Sequence, residues 1–153
     1  MNLSEIARGV FQTQLQAMHL HMDGCTEGKD PIHLHDLRVA NRRTRAALLE
    51  FKKLLPVDIY QKYRKDFRWI HTITGNVRDL DVVLAHYQVL KKEISKSWRP
   101  HLRPLQVLLE KKRTIAQEEL SRILLSGKVI GIIESWSDLL EGGITDGTSL
   151  SLE

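Results

Sequence analysis

Apolar residues recur at spacings of three and four along most of this chain, from Leu3 to Leu140. That period lines one face of an α-helix, and nowhere does strict alternation compete with it. Leu3, Ile6, Ala7, Val10, Phe11, Leu15, Met18 and Met22 predict a first helix over residues 3–23, with Ser4 able to cap it. Asp30-Pro31 is a start signal, a capping side chain followed by the residue best suited to the first helical position. The second helix is expected to run to about Leu55, where Pro56 stops it. Asp58 is expected to cap a third helix whose pattern continues to Ile94, with a kink or short break at Gly75-Asn76. Two further helices are predicted over residues 103–125 and 128–140, separated by Ser126-Gly127.

The expected fold class is all-α, an antiparallel up-and-down helical bundle with short connections. At 153 residues the chain suits one domain, placed at residues 1–141. The Gly- and Ser-rich residues 142–153 lack the period and are expected to be a disordered tail.

Charge changes the picture. The net charge is only +4, yet residues 29–78 carry twelve Lys and Arg against five Asp and Glu. Within HDLRVANRRTR, at residues 35–45, the side chains of His35, Arg38, Arg42 and Arg45 fall in a sector of ~80°, while Arg43 points elsewhere. Arg64, Arg68, His71, Gly75 and Arg78 form a second stripe if the third helix stays continuous. Like charges at these spacings repel, so a row of arginines beside a core suits an anion. Gly75 fits either a close anion or close packing against the second helix. Asp79 and Asp81 point about 160° apart, too divergent for one metal, but one of them can brace an arginine of a neighbouring helix.

His35-x-x-Arg38-Val39-x-x-Arg42-Arg43-x-Arg45-x-x-Leu48, followed by Gly75-x-x-Arg78-Asp79-Leu80-Asp81-Val82, resembles the conserved-histidine α-helical (CHAD) family. Arg113 and the run Leu124-x-Ser126-x-Lys128 fit a weaker third element. The resemblance implies a helical fold whose basic residues bind inorganic polyphosphate without catalysis. It also implies residence on polyphosphate granules and partnership with CYTH-type triphosphate-handling domains. It maps the family's histidine onto His35 and its basic residues onto Arg38, Arg42, Arg43, Arg45 and Arg78, and less directly onto Arg64, Arg68, His71, Arg113 and Lys128. The family domain usually has two similar helical halves. One half is visible in this sequence, and a homodimer is one way to supply the other.

The residue chemistry fits. Polyphosphate offers charge and oxygen acceptors but no bases, and arginine forks grip phosphate oxygens bidentately. Non-specific nucleic-acid binding is the competing class, but no helix-turn-helix signal or aromatic stacking platform supports it. Phosphate transfer or hydrolysis, alone or as an accessory to a CYTH-type triphosphatase, lacks a P-loop and clustered carboxylates. No cofactor or metal site is expected, because His19/His21 and His33/His35 diverge by ~200° on a helix. The single Cys25 excludes an intramolecular disulfide. No segment approaches membrane-spanning length, so a cytoplasmic location without a membrane partner is expected.

Overall fold

A computed structural model describes residues 2–143; the tail expected from residue 142 lies, beyond Gly143, outside the described residues. The protein is all-α, with six helices among the described residues: α1 (Leu3–Glu27), α2 (Pro31–Glu50), α3 (Val57–Ile73), α4 (Gly75–Glu93), α5 (Arg99–Leu125) and α6 (Lys128–Glu141). A short 3-10 turn (Lys52–Leu54) follows α2, which ends at Glu50 rather than near Leu55.

The caps explain most boundaries. Asn2, not Ser4, caps α1, through a reciprocal box with Glu5. Gly24 does not end α1; the helix runs on to Gly28, whose left-handed φ of 68° closes it. Asp30 caps α2 as expected, accepting from the Ile32 N–H. Asp58 does not cap α3, since Pro56 holds that position; Asp58 lies in the first turn, where its charge suits the helix dipole. α5 begins at Arg99, four residues earlier than expected, with Pro104 inside it.

The helices close around Trp136 of α6. Its indole meets Phe11 of α1 edge-on at 5.0 Å, Tyr63 of α3 at 4.6 Å and Phe67 of α3 at 5.8 Å. Leu34, Leu37, Ala40 and Leu48 bring α2 into the same core. Only the second half of α5 joins it, through Ala116, Leu120 and Leu124. Most of α4 and the first half of α5 instead pair with each other as an arm. Tyr87 is buried within that arm and donates to the Leu102 carbonyl.

The break between α3 and α4 falls at Thr74, one residue before Gly75. Thr74 has φ −90° and ψ −6°, and is fully buried. Its hydroxyl donates to the Ile70 carbonyl at 2.8 Å. This single irregular residue redirects the chain beside α2 and positions the site.

A cationic groove between α2 and α3

α2 and α3 run antiparallel. Arg38, early in α2, reaches the C-terminus of α3, while Arg45 lies beside Arg64 and Arg68, nearer the start of α3. Their two stripes therefore face each other across one groove. At one end His35, Arg38, Val39, Arg42, His71 and Arg78 line a cleft of about 220 Å³. At the other Arg45, Leu49, Tyr60, Arg64 and Arg68 line a hollow of about 210 Å³. From Arg38 to Arg45 the groove follows α2 for about 10 Å.

Arg38 is the hinge of the site. Its Nη1 donates to the His71 carbonyl and to the Thr74 hydroxyl, both at 2.7 Å. It thus satisfies a carbonyl that the end of α3 leaves free. These acceptors are neutral, so the cap leaves the guanidinium charge unneutralised. Burial lowers the Arg38 pKa, Asp79 opposes that, and Arg78, Arg42 and Arg45 lower it further. Arginine stays charged regardless. The downward direction comes first from burial, with the neighbouring arginines adding to it.

His71 lies in the same field. Its pKa falls below the ordinary 6.5, first through burial and then through Arg38, Arg45 and Arg42, with Asp79 pulling the other way. Its Nδ1 is buried without a hydrogen-bond partner. The site thus combines clustered positive charge with a partly buried imidazole whose pKa that charge helps to lower.

Gly75 opens α4 beside Arg38. A Cβ there would meet only the Arg38 Nη1, at 3.8 Å, an ordinary contact. Close packing against the second helix is therefore not what the glycine serves.

Three residues of the expected site lie apart from the groove. Arg113 is spent on structure: its Nε donates to Asp81 Oδ1 at 2.8 Å, with Asp81 buried. Asp81 thus braces an arginine of a neighbouring helix, on α5. Lys128 holds its Nζ 4.1 Å from the centre of the Trp69 ring, a cation–π contact. Arg43 is exposed and lines neither hollow. Conversely, Thr74 and Tyr60 belong to the site and escaped the sequence reading.

A larger open depression, of about 700 Å³, lies between the end of α1 and α5. Glu27 and Glu118 accompany Arg122 there, so its charge does not converge toward an anion. Size is a poorer guide here than charge, and the groove is the stronger candidate.

The histidines also behave unexpectedly. His21 of α1 and His33 of α2 approach with Nδ1 atoms 3.1 Å apart, and His21 Nε2 lies 3.5 Å from Asp36. The i, i+2 arithmetic compares residues on one helix and so misses a pair formed across two. Among the described residues no group of three or more His, Cys, Asp or Glu is arranged to hold a metal ion. No helix among them is long and apolar enough to cross a membrane.

Fold and groove together define an all-α protein with an arginine-rich surface groove. The family model described as CHAD domain matches residues 9–152, nearly the whole chain, and the protein belongs to that family. The match continues past residue 141, into the segment expected to be a tail. No curated protein matches the chain.

Proposed function

We propose that the α2/α3 groove binds inorganic polyphosphate, as a docking surface and not as a catalyst. The observation that carries this reading is the convergence of six arginines, Arg38, Arg42, Arg45, Arg64, Arg68 and Arg78, on one groove. Among the described residues none of them forms an ion pair with a carboxylate. Asp79 acts on Arg38 only through its field. The two hollows suit an extended ligand carrying several consecutive phosphates, and membership of the CHAD family supports the same ligand class. Binding of this kind would hold the protein on polyphosphate granules and place it beside enzymes that handle triphosphates. Rigid helices and bidentate arginine forks supply affinity without any reacting group.

The test is a calorimetric titration with long-chain polyphosphate. Arg42→Gln/Arg45→Gln/Arg78→Gln removes three groove charges while leaving the Arg38 cap in place. Affinity should fall roughly a hundredfold, since removing each charge-assisted hydrogen bond costs several-fold or more. Wild-type affinity should itself fall about a hundredfold between 50 and 200 mM salt, through counterion release. Unchanged affinity in the triple variant, or tighter binding to duplex DNA than to polyphosphate at physiological salt, overturns the assignment.

A further inference from the structure

The corner between α4 and α5 has a composition that the groove does not explain. Between residues 91 and 103 stand Lys91, Lys92, Lys96, Arg99 and Arg103 against the single acid Glu93. Among the described residues none of these cations pairs with a carboxylate. Trp98 occupies the corner itself and is 65% exposed, its ring 5.4 Å from that of His101. Val89 and Leu90, in the last turns of α4, and Leu105, in the second turn of α5, are 45–55% exposed. This end of the α4–α5 pair therefore presents an indole and three aliphatic side chains to solvent on the same short segments that carry the unpaired positive charge.

We propose that this corner docks on an anionic lipid surface. The cations supply the charge complementarity, because Lys and Arg near such a surface are drawn to its headgroups. The indole and the aliphatics supply what a phosphate chain cannot use, an apolar contact at the depth where Trp favourably sits. Lys and Arg stems lie along apolar surface while their heads stay in the headgroup layer. α4 is 19 residues long, a rise of about 28 Å from Gly75 beside the cleft to Glu93 at the corner. Docking by the corner leaves the α2/α3 groove free. This departs from the expectation of no membrane partner, which rested on the lack of a spanning segment; peripheral docking needs none.

The experiment is flotation of the full chain with vesicles of phosphatidylglycerol mixed into phosphatidylcholine, set against pure phosphatidylcholine. Tryptophan emission is followed in parallel. The chain should float with the anionic vesicles and its emission should shift to the blue. Lys91→Gln/Lys92→Gln/Lys96→Gln should weaken partition roughly a hundredfold. Trp98→Ser should remove the blue shift. Both variants change exposed or half-exposed residues, and both should keep wild-type polyphosphate titrations, which verifies their folding. Absence of flotation overturns the proposal, as does flotation equal in wild type and variants, which would assign lipid binding to the groove arginines. So does a concentration-dependent self-association without lipid that the corner variants abolish, which would make the corner a contact between copies.

Discussion

Arg38 and Arg113 are both partly buried arginines on long helices, yet their surroundings are opposite. Arg113, in the α4–α5 arm, meets the buried carboxylate of Asp81 at 2.8 Å. Arg38, in the α2/α3 groove, meets a carbonyl and a hydroxyl, and its charged neighbours are mostly other arginines. Both hold two helices together. Only Arg113 is neutralised in doing so. The partner, not the arginine, decides whether charge is consumed by the fold or remains for a ligand. The groove's charge is tolerable because its arginines stand at the surface, where solvent screens their repulsion.

The largest expected effect breaks the neutralised side of this contrast. Arg113→Met leaves Asp81 buried and unpaired, and should cost about 3 kcal/mol of stability in urea unfolding. Its polyphosphate affinity should not change. Adding Asp81→Leu should recover most of the loss, because removing both charges is far cheaper than removing one. Cys25 offers an independent readout. Burial first, and then Asp36, push its thiol up to about 12, so labelling should report opening of the fold rather than surface reactivity. A fully stable Arg113→Met protein with weakened polyphosphate binding would place Arg113 in the site after all.

The other side should respond less in stability and more in binding. Arg38→Met removes a cap on the end of α3 and should cost about 1 kcal/mol, the usual worth of such a hydrogen-bonded cap. Affinity should also fall, by about tenfold. Arg38→Lys retains the charge but not the planar fork. It should recover part of the affinity and little of the cap. If Arg38→Met loses stability alone, the residue is a structural cap and no ligand.

Local signals carried the sequence reading as far as local physics reaches. The three-to-four period marked the helices, and Asp30-Pro31 marked the start of α2. The helical wheel put His35, Arg38 and Arg42 on one side of α2, and all three line the same cleft. What the reading missed depends on residues distant in sequence. Thr74 is no helix breaker by composition; Arg38, thirty-six positions earlier, bonds it at the bend. Arg113 looked like a free cation because its partner stands on α4, thirty-two positions away. Lys128 likewise found Trp69 across the bundle. A charge stripe shows where cations are, and the packing decides which are already matched.

The smallest expected effect separates the groove from the arm by its response to protons. His71 lies among Arg38, Arg42 and Arg45, with Asp79 as the opposing charge and His35 in the same cleft. In the empty protein its pKa is below the ordinary 6.5, so the unfolded chain binds more protons in the window between the two values. Stability then declines as pH falls below about 6.5. A polyanion in the groove reverses the sign, because its charge offsets the arginines and raises the His71 pKa. Binding should therefore take up a fraction of a proton near pH 6, and affinity should rise a few-fold between pH 7.5 and 5.5. Calorimetry in two buffers of different ionisation enthalpy measures that uptake directly. His71→Gln should flatten the pH dependence, and His35→Gln apportions whatever part of the uptake belongs to the other imidazole. The Asp81–Arg113 pair lies apart from the groove, so Arg113→Met should leave the pH slope of binding intact. An unchanged slope in His71→Gln would show that the proton is taken up elsewhere, and that the groove's positive field acts on the ligand through its arginines alone.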